Sequence, residues 1–211
     1  SILQSDKRIF GKNLTIIFTE ASRYVFKSAD ILLDNNFQFF NELVGFAKKL
    51  KKEVRTNIKF RTKANLDGSD LSFGAGRRFA EVFGEDSVQK MTDISYYNSM
   101  LKSKLLVITH PETSFSEAMY LNIPTILLLN EKHFEFSKYS LRIFKLLKKN
   151  KIAFNDFTKA RLHINTNWDN IESWWNKKQT QNARKLYLSH FFNVKNDWYE
   201  EWQNFIKSIN N

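Results

Sequence analysis

The 211-residue chain is 42% hydrophobic, which is enough to build the core of one good-sized domain or two small ones. It has no cysteine, which excludes disulfides and thiolate metal sites, and its apolar runs are shorter than the ~18–20 residues of a membrane-spanning helix. Its net charge of +11 fits either an anionic partner or a solvated, lysine-rich surface.

In chain order, the first half predicts strands alternating with helices. Residues 13–19 and 58–61 have the composition of strands, and a helix with an outer lysine face begins at Asn36. A further helix is predicted at 77–83, and residues 87–91 are predicted as a short third strand. Asp93 is predicted to cap a helix that runs to residue 103.

The stretch from 104 to 130, KLLVITHPETSFSEAMYLNIPTILLLN, predicts a compact β–α–β unit. Residues 105–109 and 125–129 are apolar runs without polar alternation, which is typical of parallel strands buried on both faces. Between them, Thr113 or Ser114 is predicted to cap a short helix. This unit points the N-terminus of the helix at the carboxyl edge of the sheet, where open α/β folds bind ligands.

After residue 129 the pattern becomes helical. We predict a helix at 135–150, a last short strand at 152–154, and helices at about 156–165, 167–177, 179–192 and 196–209 that carry all five tryptophans. The pattern indicates an α/β fold with a Rossmann-like parallel sheet and a helical, Trp-rich C-terminal extension. We therefore predict a Rossmann-like domain over 1–155 and a helical cover over 156–211.

The common catalytic motifs do not occur in the sequence. There is no G-x-S-x-G elbow and no Walker A loop, and the GAG triplet at 74–76 lacks the third glycine of a dinucleotide fingerprint. The histidines at 110, 133, 163 and 190 have no metal-ligand spacing. We therefore predict no metal and no cofactor.

Polar and basic side chains follow three of the predicted strands. Ser22 and Arg23 follow the first strand, Arg61 and Lys63 end the second, and His110 ends the strand before the central helix. Because the carboxyl ends of parallel strands meet at one edge, these side chains converge there and suit a monophosphate or diphosphate.

The central helix adds three candidate residues with two interpretations. The hydroxyls of Thr113 and Ser114 and the first N–H groups of the helix suit a phosphate, and Glu117 suits the hydroxyls of a ribose or sugar. In the structural alternative, Thr113 or Ser114 caps the helix and Glu117 completes a capping box with Ser114. The sequence leaves both interpretations open.

The residues at this edge resemble a known family. The segment THPETSFSEAMYLNIPTILLL resembles the donor-side β–α–β element of GT-B glycosyltransferases, and more closely a family of transferases from bacterial surface-carbohydrate loci. The likeness lies in the T-S-F-x-E-A and N-x-P-T-I elements and covers about residues 13–192. It includes the strand end at 58–63, the turn at 22–24 and the C-terminal patterns at 163–165, 168–175 and 181–184.

The resemblance implies the C-terminal, donor-binding half of a GT-B enzyme. Its substrates would be a nucleotide-sugar donor and a glycan or lipid-linked acceptor, in bacterial surface polysaccharide or lipopolysaccharide synthesis. It implies a cytoplasmic location and leaves contact with the inner face of the membrane open. Such enzymes have two Rossmann-like halves and this chain has the length of one. We therefore expect a partner half, and donor binding with poor sugar transfer by residues 1–211 alone.

Two other function classes stay open. The charge and the aromatic residues fit a basic nucleic-acid-binding module, although the basic residues are scattered and no helix-turn-helix, RRM or zinc-finger pattern occurs. The Trp-rich helices fit a non-catalytic domain that docks a partner. Trp174 and Trp175 cannot both face one side of a helix, so we expect one of them to meet a second surface.

Overall fold

The computed structural model describes residues 11–19, 33–62, 74–90, 92–131, 134, 136–192 and 197–209, with side chains from residue 35 in the second range. One five-stranded sheet has the order β2-β1-β3-β4-β5, and every pair is parallel. The strands are β1 (Asn13–Phe18), β2 (Ile58–Thr62), β3 (Ser103–Ile108), β4 (Thr125–Leu128) and β5 (Ala153–Phe154). The predicted α/β class with a Rossmann-like parallel sheet is confirmed.

The two apolar runs of the central unit form neighbouring strands, as predicted. Leu106 of β3 lies opposite Thr125 of β4, and the last four residues of β3 are fully buried. Side chains on both faces of these strands contact other layers of the protein, so neither strand alternates apolar and polar residues.

The helices form a layer on each face of the sheet. Their bounds are α1 (Leu33–Lys48), α2 (Lys52–Arg55), α3 (Ala75–Phe83), α4 (Tyr96–Leu101), α5 (Thr113–Tyr120), α6 (Lys138–Lys149), α7 (Phe157–Asn167), α8 (Ile171–Trp175), α9 (Lys178–Phe191) and α10 (Trp198–Ile209). Helices α1 and α7 contact each other, and α9 contacts α5 and α6. Right-handed crossovers place α1 on the opposite face from α5 and α6, because the chain leaves β1 in one direction and β3 in the other.

Phenylalanine rings fill the space under α1 and α3. The ring centroid of Phe60 lies 4.2 Å from that of Phe79 in a stacked pair, and 5.9 Å and 6.0 Å from those of Phe18 and Phe40. Each of these four side chains is at least 98% buried. Such a cluster joins β1 and β2 to their covering helices through apolar burial and favourable ring geometry.

The prediction of a short strand at 87–91 is wrong. Residues Glu85–Ser87 form a single 3-10 turn, and Val88 makes only an isolated bridge to Phe60. Gly84, with a φ of +88°, ends α3 just before this turn and redirects the chain. The next helix is capped by Ser95, whose hydroxyl accepts a hydrogen bond from the Asn98 N–H, and not by Asp93.

The helical C-terminal region carries all five tryptophans, and the expectation that Trp174 and Trp175 meet different surfaces is confirmed. The Trp174 indole donates to the Asn150 carbonyl at 3.1 Å, at the end of α6. The Trp175 indole donates to the carbonyl and side-chain oxygens of Asn122, at 3.2 Å and 2.9 Å. Asn122 has a φ of 54°, which asparagine tolerates better than most residues. Both rings are therefore packing residues of the helical layer.

Helix α10 differs from the other C-terminal helices because it has no buried residue. Its large apolar side chains are 53–65% exposed: Trp198, Tyr199, Trp202, Phe205, Ile206 and Ile209. None of the helices described here is long and apolar enough to cross a membrane. The division of the chain at residues 155 and 156 stays a prediction.

Substituting Gly11 with alanine is expected to destabilise the fold by about 2 kcal/mol or more. A Cβ at Gly11 would lie 1.5 Å from the Lys102 carbonyl oxygen, so the backbone entering β3 would have to move. Gly45, in the last turn of α1, has no atom within 4 Å of such a Cβ. Gly45→Ala should therefore stabilise the protein by about 0.5–1 kcal/mol. Urea unfolding of the two variants checks both signs, and a Gly11→Ala variant as stable as the parent would contradict the prediction.

Candidate functional site

A cavity of about 350 Å³ opens at the carboxyl ends of β1, β2 and β3. Its lining brings together four of the residues predicted from the sequence: Arg61, His110, Thr113 and Ser114. Arg61 lies at the end of β2, His110 follows β3, and Thr113 and Ser114 open α5. The parallel topology brings these positions to one edge of the sheet. Thr19 and Tyr96 also line the cavity, and the sequence did not identify them.

Helix α5 begins at Thr113 itself, whereas a cap at Thr113 would have made Ser114 the first helical residue. Its N-cap is Glu112, in extended conformation, and the Glu112 carbonyl accepts hydrogen bonds from the N–H groups of Phe115 and Ser116 at 3.0 Å and 3.1 Å. Thr113 and Ser114 are therefore the first two helical residues, and the prediction that one of them caps the helix is wrong. The capping box of Ser114 with Glu117 is wrong for the same reason. The two hydroxyls line the cavity beside the N-terminus of the helix.

Arg61 supplies positive charge to this cavity. Its place in β2, opposite Ile17 of β1, leaves it only 3% exposed, and its Nη1 donates to the Ile94 carbonyl at 2.9 Å. The guanidinium carbon lies 5.8 Å from the centre of the Tyr96 ring. Burial lowers the pKa of Arg61, but arginine starts so high that the group stays charged at neutral pH.

Tyr96 opens α4 and stands between Arg61 and α5. Its buried hydroxyl lies near Ser114 and Glu117 without a hydrogen bond of good geometry to a described residue. Burial raises the pKa of Tyr96 to about 12, so the phenol is neutral at physiological pH. Burial also raises the pKa of Glu117, while the Tyr96 hydroxyl acts in the opposite direction.

Glu117 lies one helical turn behind the cavity lining. Its side chain is half-buried beside the Tyr96 hydroxyl, and it does not line the cavity itself. A ligand in the cavity would therefore meet Ser114 before it met Glu117. Direct contact of Glu117 with a ribose or sugar stays a prediction.

His110 is 7% exposed at the end of β3. Its Nδ1 lies 3.4 Å from an Oε1 atom of Glu112, and its ring meets Phe134 edge-on at 5.0 Å between centroids. His110 and Glu112 both line the cavity.

The other three predicted site residues, Ser22, Arg23 and Lys63, lie outside the described residues, so their convergence on this edge stays a prediction. Within the described part of the chain, no group of three or more His, Asp or Glu side chains could hold a metal ion. Apart from the Glu112 carboxylate, which also lines the cavity and would repel an anion, the chemistry available here is a buried guanidinium, two hydroxyls and the N-terminus of α5. These groups suit a phosphate oxygen, through charge-assisted hydrogen bonds and the helix dipole.

Tyr96→Phe is expected to keep or raise the free energy of unfolding, by up to about 1 kcal/mol. The substitution removes a buried hydroxyl that has no well-formed bond, and such groups are costly to desolvate. The neighbouring Tyr97 is 42% exposed, so Tyr97→Phe is the matched control and should be neutral. Urea denaturation measures both variants. A loss of more than about 1 kcal/mol in Tyr96→Phe alone would indicate a true bond to Ser114 or Glu117.

A family model described as LIC12162 family transferase matches residues 3–206. The match includes all five strands of the sheet and every described residue of the cavity. The curated proteins compared with the chain give no match. The family assignment therefore supports transfer chemistry, and the donor has to be argued from the cavity.

Proposed function

The chain belongs to the LIC12162 family of transferases, and we propose that it binds a nucleotide-activated sugar as the donor-binding part of a glycosyltransferase. The observation that carries the proposal is the cavity at the carboxyl ends of β1, β2 and β3, where a buried arginine meets the N-terminus of α5. This is the edge at which open α/β folds bind their ligands. The proposed setting is bacterial surface polysaccharide or lipopolysaccharide synthesis, with a glycan or lipid-linked acceptor.

The groups around the cavity match the charge that sugar transfer creates. When the bond between the anomeric carbon and the phosphate oxygen breaks, the nucleotide leaves with additional negative charge. The Arg61 guanidinium, the hydroxyls of Thr113 and Ser114 and the first N–H groups of α5 would stabilise that charge without reorganising. Lys63, Ser22 and Arg23 are proposed to add to the same phosphate site.

The proposal assigns donor binding to this chain and leaves the acceptor and the catalytic base to a second Rossmann-like half or a partner subunit. His110, whose Nδ1 lies 3.4 Å from Glu112 Oε1, also lines the cavity. We assign it a role in donor binding, because its position at the end of β3 faces the same edge as Arg61.

Calorimetric titration with UDP-, GDP-, dTDP- and CMP-sugars, and with the corresponding nucleotides, tests the proposed function. We expect saturable binding of at least one donor and competition by its free nucleotide. The proposal fails if none of these donors binds. Binding of DNA or RNA with a steep salt dependence, in place of nucleotide binding, would favour the nucleic-acid alternative.

A further inference from the structure

A second cavity of about 360 Å³ lies at the same edge of the sheet, beyond β4 and β5. Its polar side chains come from α1 and from the segments after the two strands: Asn35, Gln38, Glu42, Asn130, Asn155 and Asp156. Phe39, Phe154 and Phe157 supply aromatic walls. The described lining of this cavity shares no residue with that of the first one, so the two cavities are separate.

The charged side chains among the described lining of this second cavity are both acidic, whereas the first cavity is lined by Arg61 and by Glu112. Glu42 and Asp156 carry carboxylates, and no lysine or arginine stands among its described lining residues, although the chain as a whole has a net charge of +11. Two carboxylates repel a phosphate. The lining therefore disfavours an anionic ligand.

The chemistry of the lining favours an uncharged ligand rich in hydroxyls. Side-chain amides both donate and accept hydrogen bonds, as a hydroxyl does, and carboxylates accept them from hydroxyl groups. A cation would contact only the acceptors and would make no use of the Asn35 and Gln38 amide N–H groups. The Asn155 amide, by contrast, already donates to Glu131 Oε2 at 3.4 Å. Phe39, Phe154 and Phe157 add apolar side chains to the lining, as sites for small molecules commonly have.

Several of the lining residues are held in place by the fold. Asp156 caps α7, because its Oδ1 accepts a hydrogen bond from the Lys159 N–H at 2.9 Å. The Phe157 ring packs against Phe39 and Phe46 of α1, with centroids 5.2 Å and 5.8 Å apart. Side chains that are already held in place lose less conformational entropy on ligand binding than mobile side chains do.

A hydrogen bond of Asn36 links elements that line the two cavities. Asn36 is 2% exposed and donates from Nδ2 to the Thr19 carbonyl at 3.1 Å. Thr19 lines the first cavity, and Asn35, next to Asn36, lines the second. Strands lie ~4.8 Å apart, so cavities centred two to three strands from each other are separated by roughly 10–15 Å. That separation suits one ligand with its phosphates in the first cavity and its sugar in the second, or two ligands side by side.

We propose that the second cavity binds an uncharged, hydroxyl-rich ring, which is the sugar of the donor or of the acceptor. The source of the sugar rests on the proposed function. The binding of a sugar ring does not rest on the proposed function, because it is argued from the lining of the cavity alone. The two statements can therefore be tested apart.

The direct test is an NMR titration of the ¹⁵N-labelled chain with glucose, galactose and N-acetylglucosamine. We expect saturable shifts in the side-chain amide signals of Asn35, Gln38 and Asn155 for at least one sugar. Gln38→Ala should weaken that binding about threefold to tenfold, the effect of one lost hydrogen bond. Gln203→Ala, which removes an exposed amide from α10, is the matched control and should leave it unchanged. The backbone amide spectrum reports that each variant is folded.

The inference is overturned if none of these sugars shifts the three amides, or if Gln38→Ala and Gln203→Ala bind alike. Calorimetry with a donor and its free nucleotide then separates the two sources. A donor sugar is indicated if Gln38→Ala weakens binding of the nucleotide-sugar but not of the nucleotide. An acceptor sugar is indicated if both are unchanged while the free sugar binds more weakly. If no nucleotide binds at all, the proposed function fails and the NMR result still decides this inference.

Discussion

Arg61→Ala is expected to weaken binding of the nucleotide-sugar tenfold or more. Arg61 lines the first cavity and is 3% exposed, so its charge is poorly screened by water. Hydrogen bonds to charged groups contribute about 1.5–3 kcal/mol each, and about 1.4 kcal/mol corresponds to a factor of ten. Calorimetric titration of the parent and the variant with the same donor measures the difference.

Two further variants separate loss of the phosphate contact from loss of the fold. Arg61 also bonds the Ile94 carbonyl, so the alanine variant will lose stability as well, and thermal melting must show that it is folded at the assay temperature. Arg61→Lys keeps the charge but loses the planar fork, and it should fall between the parent and the alanine variant. Arg142→Ala, on the exposed face of α6, is the control. If folded Arg61→Ala binds the donor as the parent does, the proposed phosphate site is wrong.

The sheet and half of the candidate site could be predicted because both follow from local pattern and topology. Two apolar runs without alternation identified β3 and β4, and the ends of parallel strands share one edge. Arg61 and His110 could therefore be placed together before any contact was known. Thr113 and Ser114 could be placed with them, because a helix after a parallel strand begins at that edge.

Tyr96 was missed because its role depends on where α4 begins. Asp93 and Ser95 are both good N-cap residues, and only the packed structure decides between them. Once Ser95 is the cap, Tyr96 becomes the first residue of a helix that leads into a parallel strand, which puts it at the carboxyl edge. Sequence patterns rarely fix helix ends to this precision.

The second cavity carries no sequence signal because its walls come from distant parts of the chain. Its described lining runs from Asn35 to Phe157, and no local spacing links α1 to the ends of β4 and β5. The cavity exists because α7 docks beside α1, where Phe157 meets Phe39. Such a tertiary contact follows from the shape of both helices, and hydrophobic periodicity does not encode it.

Acid is expected to destabilise the fold by about 3 kcal/mol between pH 6.5 and pH 4 through His163. Burial lowers the pKa of His163 to about 4, and the charges of Lys151 and Lys177 act in the same direction. Between these pH values the unfolded chain binds a proton at His163 and the native protein does not. The free energy of unfolding therefore falls as the pH falls through this window.

The surroundings of His163 explain why its pKa is low, and they suggest a substitution that tests the prediction. Its ring packs against Trp174 and Phe154, with centroids 4.7 Å and 5.6 Å away, and its buried Nε2 has no hydrogen-bond partner among the described residues. His163→Phe keeps an aromatic ring there and removes the titrating group, so its stability should vary less with pH. Urea denaturation at pH 7, 5.5 and 4 should show the parent losing more stability in acid than His163→Phe does, with His190→Gln, at an exposed site, as the control. Equal pH slopes for the parent and His163→Phe would show that His163 is not the group responsible.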